Sequence, residues 1–127
     1  MMKPSYARLL LLGAVAALSA GCVAPPTPLY NYADYSNTYY QSAKTPSEET
    51  LLNLQKSMEK AIAEKDKSRS GRVPPGMYAN LGYLYLKGGQ TQKAIELFNQ
   101  EKITYPESAH FMDRVIKKAE ATEGAAK

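Results

Sequence analysis

Apolar residues recur at helical spacing from residue 51 onward and predict a series of short helices. The first apolar stripe consists of Leu51, Leu54, Met58, Ala61 and Ile62. Ahead of it, Thr45 precedes a proline at the first helical position, and Glu48 stands three residues after that threonine, which is the pattern of a capped helix start. We therefore expect a helix that begins after Thr45 and ends near Lys65.

A second stretch carries a signature as well as a periodicity. Its marks are spaced as Tyr78-x2-Leu81-Gly82-x2-Tyr85, then Ala94-x3-Phe98, then Pro106. This spacing resembles the tetratricopeptide repeat, a hairpin of two antiparallel helices. The resemblance implies that Gly82 and Ala94 allow close helix contact, that the aromatic residues and Leu81 fill the seam between the helices, and that Pro106 stops the second helix. Gly88-Gly89 is expected to form the turn, where a positive φ is needed.

The residues around this hairpin set the limits of the predicted domain. Glu101 stands where the repeat usually has a small residue, which argues against stacking of a further full repeat. A helix that begins near Glu107 has its own apolar residues and is expected to cap the hairpin. The predicted fold is therefore all-α, with a tetratricopeptide-like hairpin and one flanking helix on each side. It covers residues 45–121, and residues 122–127 are expected to form a disordered tail.

The first 21 residues have the layout of a secretory signal peptide. Lys3 and Arg8 provide a positive start, and residues 9–18 form an apolar run that is too short to span a bilayer as a stable helix. The run ends in Ser19-Ala20-Gly21-Cys22, which resembles the bacterial lipobox, although the family pattern favours an aliphatic residue at the place of Ser19.

The lipobox resemblance implies cleavage before Cys22 and attachment of lipid to its thiol. Because Val23 follows, it also implies export to the periplasmic face of the outer membrane in a Gram-negative host. The alternative is an ordinary leader that is cut near Ala20 and leaves a free thiol, which would be a liability in an oxidising compartment.

Residues 22–44 are predicted to form an extended tether. They contain three prolines followed by five tyrosines, with neither helical nor strict strand periodicity: Pro25, Pro26, Pro28, Tyr30, Tyr32, Tyr35, Tyr39 and Tyr40. At about 3.3 Å per residue, this tether could hold the domain as much as ~75 Å from the lipid. A tyrosine can bury its ring while its hydroxyl stays hydrated, so these residues either cover an exposed helix face of the domain or bind a partner.

Charge adds little to this picture. The formal charge of the 127 residues is +4, but Lys3 and Arg8 belong to the leader, and without them it falls to +2. We therefore expect no nucleic-acid partner. Residues 65–72 are rich in Lys and Arg, and we expect a solvated loop there rather than an anion site.

The reactive residues of the chain do not form a catalytic pattern. There is one histidine, His110, and one cysteine, which the lipobox already uses, while the carboxylates are scattered along polar faces. A metal site needs three or four ligands, and the chain has neither a phosphate-binding loop nor a dinucleotide fingerprint. We expect no enzyme activity, no metal, no cofactor and no small-molecule substrate, which makes a cryptic hydrolase the least favoured hypothesis.

A narrower resemblance rests on several short motifs: Arg72-Val73-Pro74-Pro75-Gly76-Met77-Tyr78-Ala79, Gly82-Tyr83, Glu101-Lys102, Pro106-Glu107-Ser108 and Phe111-Met112. Together they resemble a family of small, uncharacterised bacterial lipoproteins over residues 30–117. Members of that family are typically encoded beside a lipoprotein related to the curli-secretion pore and a second small lipoprotein. The resemblance implies a shared envelope complex but no particular activity.

Hairpins of the tetratricopeptide type bind peptides on the inner face of their first helix. The repeat register places Ala79, Tyr83, Leu86 and Lys87 on that face, and Tyr39 and Tyr40 of the tether are further candidates for partner contacts. The first hypothesis is a lipid-anchored envelope scaffold or assembly factor that binds other envelope lipoproteins. The second is a regulator of a cell-wall synthase or secretion machine.

Overall fold

The computed structural model describes residues 24–125, and this part of the chain is all-helical, without a β-strand. Its α-helices are α1 Tyr35–Lys44, α2 Glu48–Ala63, α3 Met77–Lys87, α4 Thr91–Thr104 and α5 Ala109–Ala125, with short 3-10 turns at Lys65–Lys67 and Pro106–Ser108. The predicted all-α class is confirmed. Within residues 24–125, no helix has the length and apolarity that a membrane span requires.

Helix α1 corrects the prediction of an extended tether, because residues 35–44 are helical and pack against α2. The buried side of α1 consists of Tyr35, Thr38 and Ser42, at helical spacing. Thr38 shares a 2.6 Å hydrogen bond with Ser57 of α2, and the Ser42 hydroxyl donates to the Tyr39 carbonyl at 2.8 Å. This face escapes a search for apolar periodicity because two of its three residues carry hydroxyl groups, which these hydrogen bonds satisfy.

The start of α2 differs from the prediction by two residues. Ser47, not Thr45, is the N-cap, and it forms a reciprocal capping box with Thr50: the Thr50 N–H donates to the Ser47 hydroxyl at 3.1 Å, and the Ser47 N–H donates to the Thr50 hydroxyl at 3.0 Å. Thr45 instead ends α1, where its N–H donates to the Gln41 carbonyl at 2.9 Å. The connection at residues 45–47 therefore caps the end of α1 and the start of α2.

Helices α3 and α4 form a hairpin with the most extensive helix interface in the described chain. A Cβ atom on Gly82 would lie 2.8 Å from Cε1 of Phe98 and 3.1 Å from the Ala94 carbonyl oxygen, which leaves no room for a side chain. In the turn, Gly89 has φ +77°, whereas Gly88 has an ordinary φ of −81°. The need for a left-handed residue therefore falls on the second glycine alone.

The core lies where α2, α3, α4 and α5 meet. Its buried apolar residues are Leu54, Met58, Ala61, Val73, Met77, Leu81, Tyr85, Ala94, Phe98 and Met112. Tyr85 also links the helices through its polar end: its hydroxyl donates to Glu59 at 2.5 Å and accepts from Gln55 at 3.2 Å. This hydrogen bonding allows a phenol to be buried at the centre of the domain.

Helix α5 is longer than the sequence predicts. It continues to Ala125, so residues 122–125, which were expected to belong to a disordered tail, are helical. Near its end, the Gln92 amide donates to Glu123 at 2.8 Å and ties the last turns of α5 to the start of α4. Near its beginning, Asp113 forms an ion pair with Lys102 of α4. Both contacts hold α5 against the hairpin.

Candidate binding groove

An open groove with a volume of about 990 Å³ lies between α3 and α5, and the start of α4 closes its far end. Most of its walls are apolar. On one side, α3 contributes Ala79, Asn80, Tyr83 and Leu86. On the other side, α5 contributes Phe111, Met112, Val115, Lys118, Ala119 and Thr122. We call this feature the groove.

The α3 wall contains three of the residues that the repeat register places on the inner face. Ala79, Tyr83 and Leu86 are spaced at i, i+4 and i+7, so they share one side of α3. Tyr83 is 56% exposed. Lys87 does not line the groove, but its ammonium group lies 5.7 Å from the centre of the Tyr83 ring, at the rim.

The α5 wall is the part of the groove that sequence reasoning missed. Phe111, Val115, Lys118 and Thr122 share one side of α5 at helical spacing, and Phe111 is 61% exposed. Both Phe111 and Met112 are apolar residues of the helix that is expected to cap the hairpin. Neighbouring residues on a helix point about 100° apart, so only one of the two could enter the core. Met112 does so, and Phe111 stays in the groove.

The charged residues of the groove lie toward the end that the turn closes. Lys93, Lys118 and Glu123 line it, and Glu123 is engaged by Gln92. The Lys93 ammonium lies 4.1 Å from the centre of the Tyr85 ring. Its pKa is raised above the ordinary lysine value, first by the Tyr85 hydroxyl group and less by the carboxylates of Glu59 and Glu96. This end of the groove therefore carries bases and an acid together, and the Lys93 ammonium is held at Tyr85.

The structure does not bring Tyr39 and Tyr40 to the groove. Both are exposed on α1: the Tyr39 ring lies 5.8 Å from that of Tyr35, and the Lys44 ammonium lies 5.8 Å from the Tyr40 ring. Tyr35 connects α1 to the groove edge, because its hydroxyl accepts a hydrogen bond from Asn80 at 3.2 Å. Burial, followed by the neighbouring Tyr39, raises the pKa of Tyr35. The tyrosine-rich segment thus docks on its own domain but leaves Tyr83 uncovered.

Glu101 has a structural role at the opposite end of the hairpin. Its side chain is 3% exposed, and its Oε1 accepts a 2.8 Å hydrogen bond from the N–H of Gly76, the left-handed residue that precedes α3. The second oxygen is buried and has no hydrogen-bond partner among residues 24–125. The Glu101 charge also adds to burial in raising the pKa of Tyr78, a partly buried residue of the repeat signature. Glu101, which replaces the small residue usual at this position, therefore holds the start of α3 in place through its hydrogen bond to Gly76.

Other residues of the motif that leads into α3 also fasten this loop to the end of α4. The Arg72 guanidinium lies 4.7 Å from the centre of the Tyr105 ring and donates to the Thr104 carbonyl. The Tyr105 hydroxyl donates to the Val73 carbonyl at 2.7 Å. Burial, followed by a hydrogen bond with the Tyr30 hydroxyl, raises the pKa of Tyr105. These residues hold the polypeptide backbone in place and lie outside the groove.

The remaining candidates for chemistry are dispersed or undescribed. His110 is exposed on α5, and no three His, Cys, Asp or Glu side chains gather at metal-binding distance within residues 24–125. The predicted lipidation residue Cys22 and the lipobox residues Ser19, Ala20 and Gly21 lie outside the described part of the chain.

The chain is a small all-helical domain with an open, mostly apolar groove. The family model described as "Domain of unknown function (DUF4810)" matches residues 29–115, and the chain belongs to this family. The match includes α1, the hairpin and the first turns of α5. No curated protein and no solved structure matches the chain.

Proposed function

We propose that this protein is a lipid-anchored scaffold or assembly factor of the bacterial envelope, and that it binds another envelope protein in the groove. The observation that carries this proposal is the exposure of Tyr83 and Phe111 on two walls of one apolar groove. Aromatic side chains are expensive to leave in water, and clusters of them at a concave surface are typical of sites that bind a partner.

The dimensions of the groove suit a short segment of another protein. Its α3 wall comes from an 11-residue helix, which is ~16 Å long at 1.5 Å per residue. A partner helix could place two or three apolar side chains along that length, in the manner of helix-in-groove recognition. Lys118 in the groove and Lys87 beside Tyr83 favour a partner with acidic residues beside its apolar anchors.

The tetratricopeptide interpretation supports the same surface. In this interpretation, α3 and α4 are the two helices of a repeat, and α5 takes the place of the first helix of a following repeat. The close contact of Gly82 with Phe98 and Ala94 agrees with the small-residue positions of that motif. The groove then corresponds to the inner face on which such repeats bind peptides.

The anchor is proposed from the sequence. The lipobox resemblance makes Cys22 the first residue of the mature protein, with lipid that holds it on the periplasmic face of the outer membrane. In this environment we expect the protein to recognise other proteins rather than to catalyse a reaction. Cys22→Ser should abolish incorporation of labelled palmitate and leave an unprocessed precursor, because serine cannot form the required thioether. Labelled lipid on the variant would contradict the anchor.

Site-specific photo-crosslinking in cells tests the groove. A photo-reactive phenylalanine analogue at position 83 or 111 should form the same discrete adduct with one envelope protein. The matched control is position 52, where Leu52 is also exposed and apolar but lies on α2 outside the groove. Identical adducts from all three positions, or none from the groove positions, would overturn the proposal. A lipoprotein in the adduct supports a scaffold, whereas a cell-wall synthase or secretion component supports the regulator hypothesis.

A further inference from the structure

The N-terminal segment is fixed to the domain much earlier than α1. The N–H of Arg69 donates to the Pro28 carbonyl at 2.9 Å, and the N–H of Ser70 donates to the Leu29 carbonyl at 3.1 Å. Two residues further on, the Asn31 amide donates to the Glu64 carbonyl at 3.0 Å. Residues 28–31 therefore lie along the loop that joins α2 to α3, and the free tether ends at Pro28.

This attachment shortens the reach of the proposed anchor. Six residue steps separate Cys22 from Pro28, which is at most ~20 Å at 3.3–3.6 Å per residue. The corresponding reach to Thr45 would be ~75 Å. A lipid on Cys22 thus confines the domain to the immediate vicinity of the membrane and restricts which side can face it.

The surface next to Pro28 has the chemistry of a membrane-contacting face. The adjoining loop exposes four basic side chains, Lys65, Lys67, Arg69 and Arg72, against the two acidic residues Glu64 and Asp66. Glu64 forms an ion pair with Lys67 at 2.8 Å. The hydrogen bond from Lys67 lowers the pKa of the Glu64 carboxyl group. Beside this loop, Leu29 and Tyr32 are 49% and 44% exposed. Tyrosine and basic residues are enriched where proteins meet lipid headgroups.

We propose that Leu29, Tyr32 and residues 65–72 form a surface that docks on the anionic headgroups of the membrane that carries the anchor. This inference rests on lipidation of Cys22 in the proposed function but not on the groove. The surface has only a small excess of positive charge, so it would bind membranes weakly as a free protein. Because the lipid fixes it near the headgroups, the effective concentration is high and a weak contact is sufficient.

Docking of this surface on the membrane also sets the orientation of the groove relative to the membrane. Arg72 and Val73 contact the C-terminal end of α4, which places the start of α3 and the start of α5 at the same end of the domain as the basic loop. The turn at Gly89 and the residue Thr122 lie at the other end of the groove. The end of the groove at Gly89 and Thr122 therefore points away from the membrane, toward incoming partners.

The chain contains no tryptophan, so a single substitution provides an unambiguous fluorescent reporter. Tyr32→Trp reports on the proposed surface, and Tyr83→Trp is the matched control at a comparably exposed tyrosine. The mature protein purified from cell membranes is placed in vesicles of phosphatidylethanolamine and phosphatidylglycerol that contain lipids with brominated acyl chains. We expect strong quenching of the Tyr32→Trp reporter and little of the Tyr83→Trp reporter. Leu29→Trp provides a second reporter on the same surface.

Charge is tested in the same vesicles. Changing Lys65, Lys67 and Arg69 together to Gln should reduce quenching of the Tyr32→Trp reporter several-fold, as should replacing phosphatidylglycerol with phosphatidylcholine. Changing the exposed bases Lys44, Lys56 and Lys117, which lie outside the loop of residues 65–72 and outside the groove, to Gln is the control and should have no such effect.

Equal quenching of the Tyr32→Trp and Tyr83→Trp reporters, or indifference to anionic lipid, would overturn the docking surface alone. Mass spectrometry of the same samples separates the two proposals. Absence of lipid on Cys22 would overturn both the anchor and this surface.

Discussion

The aromatic residues in the seam between α3 and α4 differ from those in the groove in how deeply they are buried. Tyr85, on the side of the hairpin seam, is 5% exposed and hydrogen-bonded, whereas Tyr83, only two residues away, stands open in the groove. Phe98 is buried in the space above Gly82 in the seam, whereas Phe111 is 61% exposed in the groove. Aromatic residues that are close in the sequence are therefore either buried in the core or exposed in the groove, depending on the helix face that carries them.

The largest difference between the seam and the groove should come from Phe98→Ala. Phe98 is buried and contacts the closest point of the hairpin, so its loss leaves a cavity that typically costs ~3 to 5 kcal/mol. Urea unfolding followed by circular dichroism measures the change. Phe111→Ala is the matched variant from the groove and should change the free energy of unfolding by less than ~0.5 kcal/mol. Similar losses for both would remove the distinction between seam and groove.

Gly82→Leu should destabilise the seam by overpacking it, whereas Phe98→Ala leaves a cavity. A side chain here meets the Phe98 ring and the Ala94 carbonyl, and overpacking of this kind typically costs ~1 to 3 kcal/mol. Gly88→Ala is the control, because Gly88 has an ordinary φ and a Cβ atom there would make only normal contacts. Thermal melts should show a clear drop for Gly82→Leu and almost none for Gly88→Ala. Equal melting temperatures would count against close packing at Gly82.

Substitutions of Glu101 test the hydrogen bond between Glu101 and Gly76 at the start of α3. Glu101→Ala leaves the Gly76 N–H without its buried partner, which typically costs ~1 to 3 kcal/mol. Glu101→Gln keeps an oxygen for Gly76 and removes a buried charge, so it should cost less. Denaturant midpoints of the two variants measure the difference. A glutamine variant less stable than the alanine variant would show that the carboxylate charge, rather than the hydrogen bond, holds the loop.

The smallest effect on stability is expected for Tyr83→Ala, at less than ~0.5 kcal/mol, because the ring is largely in solvent. The same variant should lose the adduct formed by the photo-reactive analogue at position 111. A stable variant that still forms this adduct in full would place recognition elsewhere. A marked loss of stability would instead indicate that the tyrosine-rich segment covers Tyr83, contrary to its position in the structure.

The hairpin was predictable because its helices bury apolar residues at regular spacing, and the signature spans α3, the turn and α4. Helix α1 was not predictable in this way, because two of the three residues on its buried face, Tyr35, Thr38 and Ser42, are polar. Half of the groove was predictable for a related reason. The repeat register located Tyr83, but the orientation of Phe111 depends on Met112 taking the core position, which is decided by packing rather than by local pattern.

Tandem duplication is the usual route by which a helix hairpin becomes a solenoid, since each added copy covers the exposed side of the last. In this protein, the end of α4 is already covered by the chain that precedes α3, through Arg72, Val73 and the bond between Gly76 and Glu101. A duplicated hairpin would inherit that loop and its buried carboxylate, and would meet an occupied surface. Packing of such a copy at this end of α4 would therefore require loss of the hydrogen bond between Gly76 and Glu101.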